Sequence, residues 1–596
     1  MSTNLLRLSQ LVTTFGPGAM LDLPDRSVMI AGLDRWDDAK RRAIVEPRLE
    51  RKLPDGPQRG LATPPLHEES PYRRDAPGVD AIVFPQWFVA TRGDSAGSRV
   101  SRRLVRFGEL DERRKCLLEE RAGKKVKIPV APVRFVAACE HGHVEDIDWS
   151  LFVHRGSRDC VGRLVLEESA ATGDVAETWI RCACGRSRAL YEALGPDNKV
   201  LGRCGGARPW LGRDAREPCD RHLRLLVRTA SNAYFPVALT VLALPTETEE
   251  DRLDRLVAEH REDLEPVKTT EDLAQAFRFN KRLAQALSGF TSEAVLAALA
   301  RARGEGSPRP RLKPEELAVL AGPALGERSD PEAVLVSEHL PRERWDPDRR
   351  FPVVARLTLV HRLRVVTALR GFTRFDFANP DRDGELDPEV RVQELSLDPK
   401  PYPATEQHGE GLFLLFERDA VKRWKERPEV LAREQALEAG FRRWAEARGR
   451  EPKGFPGATW IALHTLSHML LAEIALEAGY PLASLEERVY VGEAGCGILL
   501  YAAAFDLGGT LGGLLALGPR LCELLERARE RNAICSADPT CAEHDPRRDR
   551  SGNPLAGAAC HGCVLLPEPC CEVRNDFLDR ALAIGTIVDP RLGLLG

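Results

Sequence analysis

Neither sign of charge dominates this chain of 596 residues: 86 lysines and arginines face 90 aspartates and glutamates, for a formal net charge of -4. A chain so balanced does not attract nucleic acid over its whole surface, so any contact with DNA has to be local. Long hydrophobic runs are also missing. The least polar stretch, residues 496–518, is broken by Asp506 and crowded with glycines, which suits a buried strand and turn rather than a membrane helix. The first ten residues lack a basic region followed by an apolar run and a small-residue cleavage site, so no secretory signal is read. The expected compartment is the cytoplasm, without membrane association. No Gly-x4-Gly-Lys-Ser/Thr phosphate loop, serine nucleophile elbow or His-Lys-Asp phosphodiesterase motif occurs. Hydrolysis of ATP by the usual loop is therefore not encoded, and no catalytic or cofactor-binding residue is assigned.

What the chain does have is length, cysteine and an uneven distribution of both charge and pattern. At this length, with 43% hydrophobic residues, several cores are expected rather than one. Fifteen cysteines in a reducing compartment, clustered rather than scattered, point to metal instead of disulfides.

Residues 1–130 form the first region. It opens with a turn at Gly16-Pro17-Gly18, passes through an irregular proline- and charge-rich stretch at 47–78 that promises few contacts, and ends in a basic run. Residues 99–127 hold eleven lysines or arginines against five acids. Arg102, Arg103, Arg106, Arg113, Lys124 and Lys125 are the candidates for phosphate contact, although a solvated helix face is the commoner meaning of such a run.

Residues 131–245 carry short β-like runs at 133–137, 223–228 and 237–244 among cysteines and glycines, and are expected to form a zinc-ribbon-like β module. Residues 246–345, alanine- and leucine-rich with helical spacing, read as a helical connector interrupted at 304–314. Residues 346–596 alternate strands (357–363, 411–416, 489–505) with helices (458–478, 519–531). The expected class is α/β in the broad sense, a mixed α+β multidomain chain whose C-terminal α/β domain ends in a zinc-bound tail.

Tetrahedral zinc takes four thiolate or imidazole ligands, and close pairs on a turn supply two at little entropic cost. In the β module the pair Cys182 and Cys184, completed by Cys204 and Cys219, is the assigned quartet. Cys139 and Cys160 are possible replacements, and His143 is expected to support a ligand or pack in the core rather than bind. In the tail, Cys560-His-Gly-Cys563 has the spacing of a zinc knuckle, and Cys535 with Cys541 brackets a proline-containing turn. These four form the second quartet, with Cys571 able to replace any one of them. Thiolates alone fill four positions in each, so both zinc sites are expected to be structural.

His464 and His468 stand at i and i+4 on the 458–478 helix. Thr465 follows His464 where a metalloprotease would place a glutamate, so the pair is expected to be packing histidines. The glycine-rich run 508–513 could cradle a phosphate, but close strand-to-helix packing is the expected role. The alternative to a scaffold is a metal-dependent nuclease or hydrolase using His464, His468, Glu473 or the 508–513 loop.

These features occur among longer stretches that carry a family likeness. They are Ser9-Gln10-Leu11-Val12-Thr13-Thr14-Phe15-Gly16-Pro17-Gly18-Ala19, residues 135–149 around Cys139 and Gly142-His143, and Ala230-Ser231-Asn232-Ala233-Tyr234-Phe235-Pro236. His361-Arg362-Leu363-Arg364, Gly409-Glu410-Gly411-Leu412-Phe413, and residues 464–471, 508–514 and 535–580 follow in order. With them the chain resembles the DrmB family of DISARM phage-defence systems, including its C-terminal helicase-associated domain of unknown function 1998. The resemblance implies a non-motor subunit that docks on a DrmA-like helicase and helps it engage phage DNA, in a system that also contains a DNA methyltransferase. The chain departs from the family in two places. Phe88-Val89-Ala90-Thr91 stands where a cysteine pair is expected, which implies loss of an extra N-terminal zinc ribbon, and Val365 stands where a glutamate is expected.

Overall fold

The computed structural model describes residues 6–23, 26–66, 78–96, 99–111, 116–121, 124–157, 159–169, 174–195, 199–245, 249–303, 311–330, 333–378, 383–384, 390–504, 513–548 and 553–596. Its architecture is mixed α+β, organised on two large sheets that are antiparallel except where Leu61–Ala62 joins the second in parallel.

The first sheet contains the basic run. Val126, Ile128 and Val130 alternate with Lys125, Lys127 and Pro129, and this period of two builds a strand with one face inward rather than a helix. Lys124–Pro132 pairs with Cys116–Arg121 on one side and with Trp87–Ala90 on the other. The sheet continues through Arg99–Arg106, Leu164–Ser169, Trp179–Cys182 and Ser187–Ala189. It crosses residue 130, so the basic run and the cysteine-rich segment share one hydrogen-bonded surface. A small sheet lies beside it: Phe135–Ala138, all four residues buried, sits between Val144–Glu145 and Arg224–Val227.

The second large sheet runs in the order Phe235–Leu242, Val354–Thr373, Tyr402–Phe416, Gly495–Ala504, Leu485–Gly492. Leu335–Leu340 adds to the start of Val354–Thr373. That 20-residue strand stays continuous by absorbing register shifts between Val354 and Arg356 and between Val360 and Leu363, each a local kink in one ladder. Over this sheet lies the helix Gly457–Ala478, apolar nearly all round and ended by Gly479 in the left-handed conformation at φ 71°. By length and composition it could span a membrane, but 83% of its most apolar window is buried inside the protein. Trp460, Leu463, Leu466, Leu470 and Ile474 form a core with Val489, Ile498 and Leu500 of the sheet and Leu524 and Leu582 of the tail. Each fully buried leucine or isoleucine contributes about 1.5–3 kcal/mol.

In the chain between Phe235–Leu242 and Leu335–Leu340, helices including Glu249–Glu259, Thr270–Phe279 and Ser292–Ala302 enclose their own core of Leu253, Val257, Leu273, Val295 and Leu299. The next helix, Leu312–Leu320, carries Glu316 inward, where it takes both Nε and Nη2 of Arg488 at 2.9 Å.

One expectation changes here, and another falls almost wholly outside the described residues. The 47–78 stretch is not a region of sparse contacts in its described part. Pro47–Lys52 is a helix with proline at its first position, and buried Arg48 donates to Glu315 at 2.8 Å and to the carbonyls of Leu242 and Leu312 at 3.0 Å. A charged side chain satisfied by distant carbonyls leaves no trace in local composition. Of the 508–513 glycine run, residues 508–512 lie outside the described residues. Gly513 packs against the Tyr480 ring.

Candidate metal centres

The sequence between Cys139 and His143 folds back in one turn. Gly142 takes φ +85° and donates its N–H to the Cys139 carbonyl at 2.9 Å, a conformation that glycine adopts without strain. The turn brings Cys139 Sγ within 3.3 Å of His143 Nδ1. A second loop adds Cys204, 3.5 Å from His143 Nδ1, and Cys219, whose sulfur is 3.9 Å from that of Cys139. Behind the ring, His143 Nε2 meets Glu217 Oε1 at 2.6 Å. A carboxylate only accepts, so the proton sits on Nε2 and the Nδ1 lone pair is turned toward the sulfurs. The Cys204 thiol, and after it the His143 ring, hold the Cys139 thiol down at about 4, which favours a thiolate.

The second cluster is built where the short helix Trp149–Val153 ends. His154 bonds through Nδ1 to the Ser150 carbonyl at 2.8 Å, which leaves Nε2 free to approach Cys184 Sγ at 3.3 Å. Cys160 and Cys182 complete the group with sulfurs 3.6 Å apart. Gly162 is required by space: a Cβ there would lie 2.7 Å from Cys182 Sγ. The Arg186 backbone N–H and then His154 hold the exposed Cys184 thiol at about 6.

In the tail, Cys535, Cys541, Cys560 and Cys563 converge. Their sulfurs are separated by 3.4 Å (Cys535 to Cys560), 3.7 Å (Cys560 to Cys563) and 3.8 Å (Cys541 to Cys563). Backbone N–H groups of Ala537 and Gly562 point at Cys535 and Cys560 sulfurs at 3.4 and 3.3 Å. Buried Arg580 pairs with Asp538, which in turn accepts the Cys535 N–H at 2.8 Å. Four thiolates around a divalent ion carry a net charge of minus two, and this guanidinium and these amides are what face it.

A tetrahedron with metal–sulfur bonds near 2.3 Å has sulfur–sulfur edges of about 3.8 Å, whereas a disulfide is about 2.05 Å long. The observed spacings fall near the first value, and every cysteine is free. All three groups can hold a metal ion.

These positions revise the expected ligand sets. The structure does not bring Cys182, Cys184, Cys204 and Cys219 together. Cys182 and Cys184 belong with His154 and Cys160, while Cys204 and Cys219 belong with Cys139 and His143. His143, expected to support or pack, faces the sulfurs directly, and His154 was missed altogether. His154 stands six residues before Cys160, a loose spacing that signals little without the helix end that turns it. Cys535, Cys541, Cys560 and Cys563 do lie together. Cys571 is elsewhere, beside His464, His468 and Glu487. Those histidines are fully buried, and Glu473 pairs instead with Arg531 at 3.1 Å.

The candidate phosphate contacts lie on the first sheet rather than on a helix. Arg102 pairs with Glu168, and Arg103 lies 3.2 Å from both Glu109 and Glu119. Arg106 sits over the Trp87 ring, 4.9 Å from its centroid. Arg113 lies outside the described residues. Lys124 and Lys125 begin the strand Lys124–Pro132, with Lys125 exposed.

Fold and sites together define a mixed α+β chain that carries several metal-competent clusters of cysteine and histidine. Residues 7–235 match the family model of a domain of unknown function, DUF8724. Over 467 residues the chain is 28% identical to DISARM protein DrmB of Bacillus paralicheniformis, covering 76% of this chain and 81% of that protein. A structure of the DUF1998 helicase MrfA bound to DNA shares 12% identity at a TM-score of 0.19, over 41% of this chain and 24% of that one. At that TM-score it defines no common fold.

Proposed function

We propose that this chain is a non-motor scaffold subunit of a DISARM-type antiviral system, which pairs in the cytoplasm with a DrmA-like helicase and assists its binding of phage DNA. The observation that carries this reading is the similarity to DISARM protein DrmB along 76% of the chain. The cluster geometry supports it. Each of the three groups offers four side-chain donors, enough to close a tetrahedral site and leave no position for substrate. Thiolate-rich sets with one or no imidazole are the donor sets zinc prefers, and zinc is the metal assigned to them.

The DNA-facing set in this proposal is Arg102, Arg103, Arg106, Arg113, Lys124 and Lys125. Arg102 and Arg103 are already engaged by glutamates, so the burden of phosphate contact falls on the hairpin end bearing exposed Lys125. Co-expression with the helicase tests the reading. The two chains are expected to co-elute, the complex to hold DNA more tightly than the helicase alone, and the lone chain to hydrolyse no ATP. Robust ATPase activity by the lone chain, or its failure to associate, overturns it.

A further inference from the structure

Apart from the cysteine-rich clusters lies a group that none of them uses. His464 and His468, one turn apart on Gly457–Ala478, face Glu487 of the strand Leu485–Gly492 and Cys571 of the tail. The two histidines and Glu487 are no more than 1% exposed, and Cys571 is 7% exposed. Glu487 Oε1 lies 3.0 Å from His464 Nε2 and 3.2 Å from His468 Nε2, and Cys571 Sγ lies 3.2 Å from His464 Nε2.

All four side chains turn a donor atom suited to a cation toward one point. His464 Nδ1 faces the Phe577 carbonyl at 3.2 Å, and His468 Nδ1 faces the Val564 carbonyl at 2.8 Å. Carbonyls only accept, so each ring carries its proton on Nδ1 and, when neutral, turns an Nε2 lone pair inward. Two lone pairs, a carboxylate oxygen and a sulfur then converge, and with both rings neutral and the carboxylate ionised the one proton among them is the weakly donating Cys571 S–H, which reaches His464 Nε2 at 3.2 Å. Protonating one ring gives an ion pair with Glu487 but holds both charges away from water, and protonating both leaves a net positive charge there. A divalent ion engages all four donor atoms at once: with one carboxylate, one thiolate and two neutral imidazoles the complex has zero net charge. Two further details fit. Ser467 donates to Glu487 Oε2, leaving Oε1 turned to the centre. The Asn575 N–H points at Cys571 Sγ at 3.2 Å, as backbone N–H groups do at Cys535 and Cys560 in the tail quartet.

We propose that His464, His468, Glu487 and Cys571 form a fourth, fully buried metal site that takes a divalent transition metal, zinc by its two-nitrogen, one-oxygen, one-sulfur donor set. Its ligands come from the core helix, the core sheet and the tail, so the ion clamps the segment carrying the Cys535 quartet onto the domain core. Being closed, it has no substrate position and no catalytic role.

The test is an anomalous-scattering map of the full wild-type chain, crystallised after expression in zinc-supplemented medium and recorded on both sides of the zinc absorption edge. The expected result is a zinc peak about 2.0–2.3 Å from the four donor atoms, resolved from the peaks in the cysteine-rich clusters. An ordered site without a peak overturns the proposal, and a peak at the iron or nickel edge keeps the site but overturns zinc. Native mass spectrometry of Glu487→Gln and His468→Ala chains gives a second reading. A folded variant should lose one metal ion, and an unchanged count counts against the site. Because the map resolves each cluster separately, failure here is distinguishable from failure of the helicase-partner reading.

Discussion

Replacing Glu217 with alanine perturbs the first cluster without touching a ligand. The carboxylate fixes the His143 proton on Nε2 through a 2.6 Å contact, and groups in this position are worth about 10–100-fold in metal affinity, roughly 1.4–2.7 kcal/mol. The structure selects the lower end. Glu217 is about a fifth exposed, and it shares its charge with Arg391 at 2.6 Å and Arg208 at 3.4 Å, which makes it a weaker base toward the ring. Glu217→Ala is therefore expected to weaken one zinc site about tenfold, or by about 1.4 kcal/mol, while the other sites hold. Competition of the full chain against a chromophoric chelator reads this directly: one equivalent should release at about a tenth of the chelator concentration needed for wild type. Glu140→Ala is the control, because Glu140 pairs with Arg224 at 3.2 Å and touches no ligand. If all equivalents release within twofold of wild type, His143 is not a ligand oriented by Glu217.

Gly162→Ala should cost the second cluster its metal, since the new Cβ would lie 2.7 Å from Cys182 Sγ; Gly108→Ala, with nothing within 4 Å, should leave the metal count unchanged. Equal counts in both variants would contradict the placement of Cys182. Glu316→Ala removes the two-pronged partner of buried Arg488 and leaves it Glu572 at 3.5 Å, so it should destabilise the C-terminal sheet by about 3 kcal/mol in urea unfolding, the low end for a broken buried pair, whereas Glu316→Leu combined with Arg488→Met should recover most of that loss. A double variant as unstable as the sum of its singles would show that the pair is uncoupled. In the helicase complex, Lys125→Ala should lower the slope of log binding constant against log salt by about one, and Arg102→Ala by less, because Glu168 already neutralises Arg102. Equal effects would remove the distinction between paired and unpaired basic residues.

How much of this was legible depended on the range of each interaction. The strands near 357–363 and 411–416 and the helix near 458–478 are present close to where the residue pattern places them, because alternation and helical spacing are local properties. The basic run shows the same rule from the other side: its charge suggested a helix face, while the alternation from Lys125 to Val130 carried the strand. Charge outlines a surface, but periodicity sets the backbone.

For the metal centres, the sequence alone determined that cysteines would gather, and it determined the tail quartet, whose Cys560 and Cys563 sit on one turn. It could not determine how the six cysteines between Cys139 and Cys219 are divided. That division depends on a helix ending at Val153, which turns His154 toward Cys184, and on Gly142, which folds His143 back on Cys139. The buried group at His464 was decided wholly by tertiary packing, since its carboxylate arrives from 19 residues beyond His468 and its thiol from 107 residues beyond His464. Ligands on one turn are linked by chain geometry, which a sequence displays. Ligands on separate elements meet only through the packing that carries them, and that packing is a property of the whole fold.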